Sequence, residues 1–180
     1  MFDTTFTYAS HASLPPHISL DAALSLLHDF DTIMRLNPDC RGCELVSSYP
    51  SPQTINETRE YIVQDRISFI PEKLWSGGVS YTALFTPRED GCEILVKAPG
   101  GFTSTNKWRM VQGQDGLEIR LASDAECSKA YSKFVKKYLE GSHEQLQRGF
   151  QERLLERMGA EGPSMRNSMD GVRVEGQFVK

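Results

Sequence analysis

From residue 128 to residue 158 apolar side chains recur three or four apart, after about 75 residues that alternate almost throughout as strand. Tyr131, Phe134, Val135, Tyr138, Leu139, Leu146, Phe150, Leu154 and Leu155 fall on one stripe of a helix, with Lys, Glu, Gln and Arg on the other face. A helix of about 30 residues is about 45 Å long, more than a small domain needs for packing alone, so it has to cross a whole sheet. That order of elements constrains the chain to one curved sheet closed by one long helix.

The strands follow from alternation. Phe2, Thr4, Phe6 and Tyr8 share one face, which predicts a first strand over residues 2–9, broken by Pro15 and Pro16. Ser19 is placed to cap a helix through Leu20, Leu24, Leu27 and His28, with Asp21 in its first turn, where a negative charge suits the helix dipole. A second short helix is expected over residues 30–36, and Asn37, Pro38, Arg41 and Gly42 then read as a turn. Strand patterning starts at Glu44 and is clearest where Tyr61, Val63, Asp65, Ile67 and Phe69 point to one face. Further strands are expected over residues 79–86, 93–98, 102–111 and 117–123, separated by Gly, Pro or Asp turn signals. Short links imply antiparallel neighbours and leave no room for crossover units, so the class is α+β with an antiparallel sheet and two short helices after the first strand. Residues 1–158 are expected to form one domain, and the Gly-, Ser- and Pro-rich residues 159–180 an irregular tail, in which Val172, Val174 and Phe178 offer an edge strand as the alternative.

Composition narrows the partners. A net charge of −4 without a concentrated basic surface argues against nucleic acid. No segment approaches the roughly 20 apolar residues of a membrane span, and no signal-peptide pattern is read, so a cytoplasmic location without stable membrane insertion is expected, as monomer or homodimer. Cys40, Cys43, Cys92 and Cys127 are expected as free thiols. Cys40-Arg41-Gly42-Cys43 has zinc-knuckle spacing but lacks two further ligands, and Gly77-Gly78 and Gly100-Gly101 lack the context of a phosphate loop. Neither metal nor cofactor is expected.

Several segments carry a resemblance: Leu27-His28-Asp29, Leu36-Asn37-Pro38, Asp65-Arg66-Ile67 leading to Pro71, Ser76-Gly77-Gly78-Val79-Ser80-Tyr81-Thr82, Ala98-Pro99-Gly100-Gly101, Lys107-Trp108, and Phe134-Val135-Lys136-Lys137 with His143. Over residues 2–155 the chain resembles the helix-grip fold of the START and Bet v 1-like superfamily, and more closely a group of fungal START-like proteins described only as a domain of unknown function. The resemblance implies a sheet wrapped around the C-terminal helix and an enclosed cavity for an apolar ligand. Related folds act as lipid and hormone carriers and as cyclases, dehydratases and isomerases of polyketides and terpenoids. Some fungal members resemble genes found beside natural-product pathways. No shared catalytic motif comes with the resemblance.

Strand parity and the helix stripe select the inward residues. Tyr61, Val63, Phe69, Trp75, Phe85, Asn106, Trp108, Phe134 and Tyr138 are the expected substrate-binding set, and Asp65, Tyr81 and His143 the expected catalytic set. An inward Asp65 is desolvated, which raises its pKa and suits it to acid or base work, unless it pairs with a lysine or arginine or caps backbone amides at a bulge. His28 and His143 sit beside apolar stripes and can titrate near neutral pH at the cavity mouth, or serve as hydrogen-bonded core. Tyr81, Ser104 and Asn106 can polarise a substrate carbonyl, and Tyr81 can equally anchor its strand. Trp108 and Trp75 offer flat surfaces to a ligand or to the core, and residues 73–78 read as a lid.

The functional expectation is that the protein binds a small hydrophobic natural-product intermediate and promotes cofactor-independent cyclisation, including a pericyclic Diels–Alder type, or isomerisation of a terpenoid or polyketide in secondary metabolism. Two alternatives use the same sequence: a non-catalytic lipid or metabolite carrier or sensor, and an interaction module whose cavity is packed shut.

Overall fold

Alternation of buried and exposed residues gives each strand one inner face. In the strand Thr58–Asp65 the buried members are Thr58, Tyr61, Val63 and Asp65, and in Leu117–Ser128 they are Ile119, Leu121, Ser123, Ala125, Cys127 and Ser128. A computed structural model describes residues 3–50, 57–66, 78–161 and 174–179. Its strands are β1 (Asp3–Ser13), β2 (Cys40–Tyr49), β3 (Thr58–Asp65), β4 (Val79–Arg88), β5 (Gly91–Ala98), β6 (Phe102–Gln112), β7 (Leu117–Ser128) and β8 (Glu175–Val179). They form a single antiparallel sheet in the order β2-β3-β4-β5-β6-β7-β1-β8. β2 to β7 are sequential neighbours, whereas β1 returns to pair with β7 from Asp3↔Ser128 to Ser13↔Glu118.

Three helices cover the inner face. Ser19 Oγ accepts the Ala22 amide at 3.1 Å and starts α1 (Leu20–Leu27). Asp29 accepts the amide and hydroxyl of Thr32 at 3.2 and 2.8 Å and starts α2 (Phe30–Arg35). Its carboxylate also pairs with Arg157 near the end of α3 (Ser132–Glu161), which ties the short helices to the long one. His28, the residue after α1, donates from Nε2 to the carbonyl of Gly91 at 2.8 Å and reaches that of Arg88 at 3.2 Å. That contact fixes α1 to the β4–β5 turn, so His28 is a structural tether and not a group at the cavity mouth. Gly91 itself must be glycine, because a Cβ there would lie 1.9 Å from the Trp108 carbonyl oxygen.

The larger core packs Phe30 on Phe85 with ring centroids 4.6 Å apart, Tyr61 edge-on to Phe85 at 5.4 Å, and Trp108 against Phe150 at 6.2 Å. A smaller cluster of Tyr8, Ala125 and Leu139, with Phe178 from β8 beside Tyr8, sits under the first turns of α3.

Several boundaries differ from the sequence reading. The long helix begins at Ser132, not 128, because the buried parity of β7 continues through Ala125 and Cys127 before a short 3-10 turn, Lys129–Tyr131. β1 runs on to Ser13, since Ser10 and Ala12 keep the inward alternation. Arg41 and Gly42, read as part of a turn, belong to β2. The irregular-tail reading is corrected at its end, where β8 pairs with β1 from Thr7↔Val179 to His11↔Glu175. The lid residues 73–77, with Trp75, and the strand positions Ile67 and Phe69 lie outside the described residues. Among the described residues no helix is long and apolar enough to cross a membrane.

Candidate functional site

The sheet and α3 meet along β1 and β7 but leave space between them over β4, β5 and β6. They enclose a cavity of about 480 Å³, walled largely by Ile33, Met34, Ala83, Ile94, Val96, Trp108, Leu121, Leu139 and Leu146. The β5–β6 turn contributes Ala98, Pro99 and Gly100, and Phe134, 40% exposed, marks where the lining meets solvent. A cavity of this size rules out the interior packed shut that an interaction module predicts.

Two polar groups interrupt the apolar wall. The first is built on Asp65 at the end of β3. Its Oδ2 accepts from Asn37 Nδ2 at 2.9 Å and from the Tyr81 hydroxyl at 2.8 Å, while Oδ1 is buried with no partner among the described residues. Asn37 is held in turn, its Oδ1 accepting the Asp39 amide at 3.1 Å. Burial raises the Asp65 pKa above the usual carboxylate value, and the nearby Asp39 adds to this, against the lowering effect of its two hydrogen bonds. Tyr81 is pushed well up by burial and by the Asp65 charge. Tyr138, hydrogen-bonded with Asn37 and Ser142, is pushed up to about 12 by burial first and the Asp65 charge second. Both phenols are therefore neutral, and Tyr81 donates to Asp65. Among the described residues the carboxyl has neither the basic partner nor the bulge amides that the sequence left open: its partners there are an amide and a phenol.

The second group is built on His143, five residues after Tyr138 on α3 and so turned toward β1 and β7. Its Nδ1 lies 2.8 Å from Ser10 Oγ and its Nε2 2.7 Å from Ser123 Oγ. Ser123 donates to Asn106 Oδ1, and Asn106 Nδ2 donates to Ser104 Oγ at 3.3 Å. Tyr8 packs edge-on against the imidazole, with centroids 4.8 Å apart. Burial holds the His143 pKa down to about 3, so the ring is neutral at physiological pH. One turn further along α3, Gln147 is fully buried with neither amide atom partnered among the described residues.

Eight of the sequence-selected residues line this cavity: Asp65, Tyr81, Ser104, Asn106, Trp108, Phe134, Tyr138 and His143. Tyr61, Val63 and Phe85 face inward but lie in the packed core beneath α2, because Phe30 fills the space in front of Phe85. Phe69 and Trp75 are outside the described residues. Sequence reasoning missed Asn37, Ser10 and Ser123 as partners. For the two serines a signal existed, since each is a polar residue at an inward position, Ser10 after Tyr8 and Ser123 between Leu121 and Ala125. Among the described residues no group of three or more His, Cys, Asp or Glu is arranged to hold a metal ion.

The sequence matches the family model described as "Domain of unknown function (DUF7053)" over residues 3–156. The chain belongs to this DUF7053 family. No curated protein matches it by sequence. Solved structures share the fold at low identity. TTHA0849 from Thermus thermophilus superposes with a TM-score of 0.61 at 15% identity, over 86% of this chain and 99% of that one. The di-domain ARO/CYC StfQ from the steffimycin biosynthetic pathway gives 0.60 at 12% identity, over 87% of this chain and 52% of that one, so this DUF7053 chain spans about half of it. The Zhui aromatase/cyclase from Streptomyces sp. R1128 gives 0.51 at 11% identity, over 89% and 96%. The helix-grip architecture is thereby established for this DUF7053 protein.

Proposed function

We propose that this protein binds a small hydrophobic intermediate in the cavity and promotes its cofactor-independent cyclisation or isomerisation, with Asp65 as the group that moves a proton. The observation that carries this reading is the Asp65 carboxyl in the wall of an apolar cavity, Oδ2 clamped by Asn37 and Tyr81 and Oδ1 buried without a partner among the described residues. A buried carboxyl oxygen without a partner is costly, and a bound molecule that supplies the partner removes that cost. The clamp fixes which oxygen reacts, and the raised pKa brings the group closer to proton exchange at neutral pH. Tyr138 adds a neutral hydroxyl beside it, and the Tyr81 hydrogen is committed to Asp65 Oδ2. The remaining wall is apolar and acts by shape, holding a flexible chain near the geometry of ring closure. That includes a pericyclic, Diels–Alder type closure, for which no proton transfer is required. The shared fold with two aromatase/cyclases supports a terpenoid or polyketide of secondary metabolism as the substrate class. His143, with both nitrogens engaged and its cation disfavoured, positions its neighbours and does not exchange protons.

The test is mass spectrometry of an apolar metabolite extract incubated with wild type, Asp65→Asn and heat-denatured protein. A new species of unchanged or dehydrated mass, formed by wild type alone, is the expected result. A compound retained by wild type and released unchanged contradicts it and makes the protein a carrier or sensor.

A further inference from the structure

Hydrogen bonds around His143 form a chain with a fixed direction. Asn106 Oδ1 only accepts, so the hydrogen of Ser123 is committed to it. The contact between Ser123 Oγ and His143 Nε2 therefore has the imidazole N–H as donor, which leaves Nδ1 bare to accept from Ser10. At the other end Asn106 Nδ2 donates to Ser104 Oγ, and the Ser104 hydrogen then has no acceptor among the described residues. What remains over, the second Asn106 N–H and the Ser104 O–H, belongs to two residues that line the cavity.

We propose that Asn106 and Ser104 form a donor pair for the carbonyl oxygen of the ligand, so that the cavity selects apolar carbonyl compounds over hydrocarbons of the same shape. This rests on the reading of the cavity as a small-molecule site. Asn106 and Ser104 are two residues apart on β6 and share its inner face, so both point to one spot. The chain through Ser123, His143 and Ser10 makes His143 a positioning residue: it holds Ser123 against Asn106 Oδ1, which keeps the Asn106 Nδ2 turned to Ser104. The pair is held in place, with Ser104 buried and Asn106 half-buried, and fixed donors of this kind discriminate for a carbonyl.

The experiment compares 2-acetylnaphthalene with 2-ethylnaphthalene, which differ in a carbonyl against a methylene, by calorimetry on the full chain. The ketone is expected to bind about tenfold tighter, although it is the less hydrophobic of the two. Its isotope-labelled carbonyl stretch, read by infrared difference spectroscopy, is expected to fall on binding below its value in alkane. Ser104→Ala and Asn106→Leu are each expected to move that stretch back up and to narrow the preference. If Asn106→Leu does not fold, Ser104→Ala and the wild-type spectrum decide alone. Equal or tighter binding of the hydrocarbon, or a bound carbonyl at its alkane frequency, overturns the donor pair and leaves the cavity reading standing. Failure of both compounds to bind overturns both.

Discussion

Burial acts in opposite senses on Asp65 and His143, and each gives a separate signature with pH. The folded pKa of Asp65 lies above its unfolded value near 4, so the native state holds the proton more tightly and stability is lost as pH rises from about 4 through the folded pKa. Asn at this position does not titrate. The difference in urea midpoint between Asp65→Asn and wild type is therefore expected to shift in the variant's favour between pH 4 and pH 7, and a constant difference contradicts it. For His143 the folded pKa is depressed, so its contribution is present above about 6.5 and is lost as pH falls toward about 3. Imidazole nitrogen spectra are expected to report the neutral Nε2–H tautomer unchanged from pH 8 down to pH 5, where an exposed histidine has already charged. Parity and helix spacing were enough to read both residues as inward-facing. Their partners were not legible, because Asn37 is 28 residues from Asp65, and Ser10 lies 133 residues from His143. Only the register of β1 against β7 and the docking of α3 bring them together.

At the scale of elements, α3 carries the clearest sequence signal and the least ordinary buried face. Its buried positions Leu139, His143, Gln147, Phe150, Gln151 and Leu154 are half polar, with Gln151 donating to the Ser13 carbonyl at 2.8 Å. An apolar-stripe count finds the helix but passes over these polar members, which is why Gln147 and Gln151 were not singled out. The ends of elements were the least legible: β7 passes into α3 through a 3-10 turn, and β8, exposed at four of its five residues, owes its existence to pairing with β1 and to Phe178 on Tyr8. The β4–β5 hairpin gives the sharpest test of packing. Gly91→Ala drives a methyl into the Trp108 backbone carbonyl, which has no side-chain rotation to yield by. A loss of about 1–3 kcal/mol in urea unfolding is expected. Unchanged stability contradicts the close approach of β5 to β6.

For the molecule as a whole, the order of strands and helices was legible in the chain, since short links between β2 and β7 force antiparallel neighbours and only a long helix can cover the result. Where the interior is filled and where it is empty was not, because Phe30 on Phe85 closes one end while α3 stands off the sheet at the other. Apolar residues are also exposed away from the cavity, Leu45 and Val46 on the edge strand β2 and Ile62 on β3, each at least 40% exposed. Binding to that surface and binding in the cavity are separable. The most direct measurement is a methyl-resolved carbon–proton NMR titration with 2-ethylnaphthalene, which needs no donor and so reports on the cavity alone. Saturable shifts are expected at Ile33, Ala83, Val96 and Leu139, with Leu45, Val46 and Ile62 unmoved. Shifts confined to those three outer residues, or no saturable shift at all, would contradict the account of this protein as one built around an internal small-molecule site.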